Sequence, residues 1–286
     1  MSTDKHIGII GAGTMGRGIA LTCLLHGYNV TLSDSNSAVL TAAKEYISQQ
    51  CEALLQKQRI TTEQAEFAQH NLHISTALDI HSKADIVLES IIEDRHAKVS
   101  VMRALEALIE KRTILATNTS SISINSLAAH LQDATRCVGI HFFNPAPIMR
   151  LVEVIPSLYT NHDTITRSIT FARNLGKEAI VVKDVPGFLV NRVVRNFYNE
   201  ALRVVNEGAA SFDQVDRLLE AWGFRMGPFR LMDLIGIDTN LSVTKSIFEQ
   251  YYFEPRFQPS PLQQSYVDAG LLGQKTGRGF YRYPPE

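Results

Sequence analysis

His6-Ile7-Gly8-Ile9-Ile10-Gly11-Ala12-Gly13-Thr14-Met15-Gly16 is an apolar run that ends in spaced glycines. Such a run reads as a strand buried on both faces of a parallel sheet. Arg17-Gly-Ile-Ala-Leu-Thr-Cys-Leu-Leu25 follows with helical apolar spacing, and Gly27 stands where a helix end needs a left-handed residue. Tyr28-Asn-Val-Thr-Leu-Ser-Asp34 is a second strand, closing on an acid 23 positions after Gly11. Gly11 permits the tight turn, Gly13 lets a pyrophosphate approach the backbone, and Gly16 allows close helix–strand packing. Thr14 and Met15 complete the turn and count with it as cofactor-binding, because the helix start offers amides and a positive dipole end to phosphates. Asp34 is expected to accept hydrogen bonds from an adenosine ribose. Its charge repels a ribose 2′-phosphate, and Ser35-Asn36-Ser37 contains no arginine to receive one. The expected cofactor is therefore NAD and not NADP.

Outward from this unit the pattern stays α/β. Residues 37–57 read as a long helix and Thr61-Thr62-Glu-Gln opens another, an inserted helical hairpin in a Rossmann-type dinucleotide-binding domain. Lys57 and Arg59 in its turn are candidate phosphate contacts, against the plainer reading of solvated charges. Residues 84–89 read as a strand, 95–110 as a helix and 113–118 as a strand. Asn118-Thr-Ser120-Ser121 is expected to cap the next helix, with Asn118 and Ser120 bordering the ligand crevice.

Val138-Gly-Ile-His141-Phe-Phe reads as a strand stopped by Asn144-Pro145, and Leu151-Val-Glu153-Val-Ile155 as another. If the two pair, Glu153 comes within reach of His141. A carboxylate there sets the ring tautomer and stabilises the imidazolium formed when histidine takes a proton. The plainer readings are a structural histidine and a solvent-facing glutamate.

Residues 163–175 read as a helix and 178–182 as the last strand. Asp184-Val-Pro186-Gly187 marks a boundary, giving a dinucleotide-binding domain over 1–185 and an all-α C-terminal domain over 186–286. Val190, Val193, Val194, Phe197, Ala201, Val204 and Val205 form a helical stripe ended by Gly208. Further helices are expected over 213–222, from Gly227-Pro228 through Leu231-Met-Asp-Leu-Ile, and over 261–269. Asn191 lies one position off the stripe, in the first turn after the boundary.

A formal net charge of -1 gives no reason to expect nucleic acid. No apolar run reaches the roughly 18 residues of a membrane span. The opening residues 1–6 leave no room for a secretory leader, so the cytoplasm is the expected compartment. Cys23, Cys51 and Cys137 are odd in number and lack metal-ligand spacing, so neither a disulfide framework nor a metal is expected.

Gly-Ala-Gly-Thr-Met-Gly (11–16), Asn-Thr-Ser-Ser-Ile (118–122), Gly-Ile-His-Phe-Phe-Asn-Pro-Ala-Pro (139–147), Leu-Val-Glu-Val-Ile (151–155) and Pro-Gly-Phe-Leu-Val-Asn-Arg (186–192) resemble the L-3-hydroxyacyl-CoA dehydrogenases. Met-Gly-Pro-Phe (226–229) and Gly-Gln-Lys-Thr-Gly-Arg-Gly-Phe-Tyr (273–281) extend the resemblance nearly end to end, toward the stand-alone 3-hydroxybutyryl-CoA type. The resemblance implies reversible NAD-dependent oxidation of an L-3-hydroxyacyl-CoA, with His141 as base and Glu153 as its orienting carboxylate. It implies Ser120 and Asn191 as substrate hydrogen-bonders and Asn144 as a support of the histidine pocket. Glu93, Lys98 and Asn118 fall near the nicotinamide half, Lys57 toward the CoA, and the helical domain toward a homodimer interface.

Two departures bear on the substrate. Cys51 replaces a usual leucine, and Gln56-Lys-Gln-Arg59 lacks the usual glycine in the hairpin that the family uses for CoA. Arg225 replaces the proline usual before Met-Gly-Pro. It reads as a surface arginine or as a receptor for an acidic tail, as in a 3-hydroxydicarboxylyl-CoA. A dehydrogenase of free 3-hydroxyacids, and a nucleotide-binding protein without catalysis, are the competing readings.

Overall fold

The computed structural model describes residues 5–284. The chain forms two compact units, one extending to Asp184 and one beginning at Val185.

The first unit is built on β1 (His6–Ile10), buried from its second residue onward. Full burial of each isoleucine side chain there contributes roughly 1.5–3 kcal/mol. Helix α1 (Thr14–Leu25) and β2 (Asn29–Ser33) follow. The hairpin consists of α2 (Ser37–Gln56), capped by Asn36, and α3 (Thr62–His70), which starts in a reciprocal Thr61–Gln64 capping box. Cys51, the departure in α2, is buried in the core of this unit. Strand β3 (Leu72–Ser75) comes next, then β4 (Ile86–Glu89), α4 (Arg95–Leu108) and β5 (Ile114–Thr117). After α5 (Ile124–Ala128), β6 (Cys137–Phe142) and β7 (Leu151–Pro156) run side by side, and α6 (His162–Asn174) leads to β8 (Glu178–Val181).

These strands form one sheet in the order β3-β2-β1-β4-β5-β6-β7-β8. All neighbours are parallel except β6 and β7. The order reverses at β1, with Ile10 level with Ser33 on one side and Glu89 on the other. A reversal of this kind opens the crevice at the carboxyl ends of the strands.

Two sequence expectations need correction here. Strand β3 has no counterpart in the sequence reading, because Leu72-His-Ile-Ser75 is a short, half-exposed edge whose identity comes from pairing with β2. The cap of α5 is Ser123, accepting from the Ser126 amide, and not the 118–121 stretch. Those polar residues are drawn elsewhere, as described below.

The second unit contains α7 (Val190–Asn206), α8 (Phe212–Ala221), α9 (Pro228–Ile235), α10 (Ile237–Gln250) and α11 (Pro261–Asp268). The sequence reading has no α10. Its Asp-Thr-Asn-Leu-Ser-Val-Thr stretch has weak helix propensity. Burial of Ile237, Asn240, Leu241, Thr244 and Ile247 at helical spacing overrides that.

The unit closes through two fully buried aspartates. Asp216 accepts from the Phe229 and Arg230 amides and from the Tyr281 hydroxyl. Asp233 accepts from the Phe280 and Tyr281 amides and from the Tyr283 hydroxyl. Burial raises both carboxyl pKa values above the ordinary range, against hydrogen bonds that favour the charged form. The Met-Gly-Pro-Phe and Gly-Gln-Lys-Thr-Gly-Arg-Gly-Phe-Tyr stretches are thus the two clasps of this fold. A Cβ added at Gly279 would collide with the Asp233 carboxylate and lie 2.7 Å from Gly273 Cα. Gly279→Ala is expected to destabilise the protein by about 1–3 kcal/mol. Urea unfolding of the variant and parent checks this; superimposable curves would refute it.

Candidate active site

The glycine turn leaves β1 with Gly11 at φ +95°, where a side chain would also strike the Ser90 carbonyl. A Cβ on Gly16 would strike the Gly11 carbonyl, while Gly13 is exposed and faces open space. Gly13 caps α1 without a side-chain hydrogen bond. The first-turn amides are therefore not satisfied by a side chain, and a phosphate oxygen can use them. Thr14 is exposed and Met15 half-buried beside them.

Asp34 follows the end of β2, with Oδ2 accepting from the Ala12 amide at 2.9 Å and Oδ1 from the Asn36 amide at 3.0 Å. The carboxylate is thus fixed against the glycine turn, and each oxygen keeps a lone pair for another donor such as a ribose hydroxyl. Together the free helix start, the open Gly13 and the anchored acid fit a dinucleotide.

At the ends of β4 and β5 the structure assembles a network of which the sequence shows only parts. Lys98 is buried and its Nζ lies 2.7 Å from Glu89 Oε1 and 3.3 Å from Glu93 Oε2. Glu89, fully buried, also accepts from the Ile91 amide at 2.7 Å and the Thr117 hydroxyl at 2.6 Å. Glu93 Oε1 collects the Thr119 and Ser121 hydroxyls and the Ser120 and Ser121 amides. That is why 119–121 caps no helix. Burial works to raise the Glu93 pKa, but Lys98 and these donors outweigh it and hold the carboxyl below its ordinary value. Ser120 is half-buried, with its Oγ 3.4 Å from Glu93. Asn118 bridges neighbouring strand ends, its Oδ1 accepting from the Phe142 amide at 2.8 Å and its amide donating to the Glu89 carbonyl. Glu89 was readable only as the acid that ends a buried strand.

His141 and Glu153 sit directly opposite in the antiparallel β6–β7 pair. Opposed residues share a face, and Nδ1 of His141 lies 2.7 Å from Glu153 Oε2. Glu153 is fully buried and His141 5% exposed. A carboxylate can only accept, so Nδ1 carries the proton and Nε2 is the basic nitrogen. The Phe143 ring packs against the imidazole at 4.5 Å between centroids, tilted by 57°.

Two further expected residues stand at exposed positions of the first unit. Asn144 is exposed in the turn after β6. Lys57 is exposed at the end of α2. In the second unit, Asn191 is half-buried in the first turn of α7, and Arg225 is exposed between α8 and α9.

The chain matches the family described as "3-hydroxyacyl-CoA dehydrogenase, NAD binding domain" over residues 6–185 and "3-hydroxyacyl-CoA dehydrogenase, C-terminal domain" over 187–283. It is 38% identical to the 3-hydroxyadipyl-CoA dehydrogenase of Escherichia coli over 100% of its own length, spanning 60% of that relative. A probable 3-hydroxybutyryl-CoA dehydrogenase of Bacillus subtilis is also 38% identical, with 98% of this chain and 97% of the relative covered. Among solved structures, (S)-3-hydroxybutyryl-CoA dehydrogenase from Ralstonia eutropha superposes with a TM-score of 0.95 at 37% identity, covering 99% of this chain and 100% of that one.

Proposed function

Because the chain belongs to the 3-hydroxyacyl-CoA dehydrogenase family, we propose that it catalyses the reversible NAD-dependent oxidation of short-chain L-3-hydroxyacyl-CoA thioesters to 3-oxoacyl-CoA. The observation that carries the reading is the buried His141–Glu153 pair on adjoining strands of the sheet that also bears the glycine turn.

NAD, when bound, supplies the hydride acceptor. Gly11, Gly13, Thr14, Met15 and Gly16 hold its pyrophosphate side, Asp34 its adenosine ribose, and Glu93, Lys98 and Asn118 its nicotinamide half. Nε2 of His141 takes the proton of the C3 hydroxyl as the C3–H bond breaks. Glu153, already bonded to Nδ1, offsets the positive charge that then spreads over the ring. Ser120 and Asn191 polarise the C3 oxygen or the thioester carbonyl, a role that rests on the family pattern. Asn144 and Lys57 serve the substrate from exposed positions, Lys57 through the CoA phosphates.

The protein works as a homodimer through its helical unit, where Leu218 on α8, Trp222 just past its end and Val193 on α7 are exposed apolar side chains. Its three unpaired cysteines suit the reducing cytoplasm.

Following NADH absorbance with acetoacetyl-CoA, and with free acetoacetate and NADPH in parallel, tests the assignment. Consumption of NADH with the thioester alone is expected. Reduction of the free acid at an equal rate would select the acid dehydrogenase reading, and silence with every thioester would leave only a nucleotide-binding protein.

A further inference from the structure

Lys177 lies between α6 and β8 and is only 7% exposed. Its side chain runs to the turn that joins β6 to β7, just beyond His141 and Phe143. Nζ donates to the carbonyls of Ala146 at 2.7 Å and Met149 at 2.8 Å, with a longer contact to the Pro147 carbonyl at 3.4 Å. An ammonium has three donors, and here all three go to backbone oxygens of one turn. Burial lowers the Lys177 pKa, while the Cys23 thiol of α1 acts the other way.

The same turn also rests on α1, the helix that begins at the glycine turn. A Cβ added at Gly18 would lie 3.4 Å from Pro147 Cδ and 3.5 Å from Ala146 Cβ. A methyl fits there in ordinary contact, and anything larger pushes the turn. Within itself the turn closes through the Ile148 and Met149 amides, which both donate to the Pro145 carbonyl.

We propose that Lys177 is a positioning residue for hydride transfer, holding the β6–β7 turn against α1 so that the His141 imidazole keeps its orientation. It acts through Phe143, whose ring packs on the imidazole at 4.5 Å between centroids. The Nδ1 bond to Glu153 fixes one corner of the ring, and rotation about that corner carries Nε2 away from its target. Phe143 opposes the rotation only while the turn behind it is held. This rests on the dehydrogenase reading with His141 as the base.

The test measures kcat with acetoacetyl-CoA, KM for NADH and the thermal midpoint for the parent, Lys177→Met and Lys177→Arg, with assays run well below each midpoint. Lys177→Met is expected to lower kcat by roughly 10–100-fold, as a displacement near 1 Å of a catalytic group does. KM for NADH is expected to stay within a few-fold of the parent. Lys177→Arg keeps a cation with several donors and is expected to recover part of the loss. If Lys177→Met does not fold, Gly18→Val loads Ala146 and Pro147 from α1 and is expected to give the same selective fall in kcat. A parent-like kcat in the folded variant, an NADH affinity that falls as far as kcat, or an arginine variant no better than methionine would overturn the proposal. Lys177 would then only support the fold, with the dehydrogenase reading intact. A parent that does not reduce the thioester would remove both.

Discussion

Replacing His141 with glutamine is expected to lower turnover by roughly 10²–10⁴-fold while NAD affinity stays within a few-fold of the parent. Glutamine is close in size and its amide can still donate to Glu153, so the β6–β7 pair keeps its packing. It has no nitrogen basic enough to accept the C3 hydroxyl proton. The glycine turn and Asp34 are held by hydrogen bonds to other partners and do not depend on the imidazole. Stopped-flow or steady-state NADH absorbance reads the first quantity and nucleotide fluorescence titration the second. Turnover within a few-fold of the parent would rule His141 out as the base. A matching loss of NAD affinity would mean that the histidine acts through the fold.

The second large effect is expected at Glu89. Glu89→Leu removes the acceptor of Lys98, of the Ile91 amide and of the Thr117 hydroxyl at once. Lys98 and Glu89 have side chains 1% and 0% exposed, so the lysine cannot turn to water without opening the core. Removing one partner of such a pair costs about 3–5 kcal/mol, because the other charge stays buried. Glu93, 3.3 Å from Lys98, moderates the loss without replacing the missing acceptor. Glu93→Gln, at a side chain 37% exposed, should cost far less. Urea unfolding of both variants beside the parent compares them, and equal midpoints would show that Glu89 is not the principal counter-ion. NAD affinity should fall with Glu89→Leu, since Lys98 then loses its anchor.

The two predictions differ in how far the sequence foresaw them. His141 and Glu153 were legible because each stands alone in an apolar run next to a turn, and adjacent antiparallel strands bring such positions onto one face. Asp34 was legible by its distance from the glycine turn. Lys98 stood out only through family resemblance, and its partner Glu89 looked like the last residue of a strand. Asn118 through Ser121 looked like a helix cap because a run of short polar side chains before a helix usually is one. Glu93, far away in sequence, claims the donors of Thr119, Ser120 and Ser121 instead.

The features legible without the fold are therefore local: the strand–glycine turn–helix unit, the acid that closes it, the paired histidine and glutamate, and the change from α/β to all-α pattern. These depend on periodicity and turn chemistry within windows of one or two elements, where the side chains are near neighbours whatever the rest of the chain does. Packing of the whole chain settles the edge strand β3, helix α10 and the Glu89–Lys98–Glu93 network. It also decided the Asp233 clasp, whose partner amide at Tyr281 lies 48 residues away. Each of these depends on which polar groups lose water together, and desolvation is set by the packed chain and not by its local spelling.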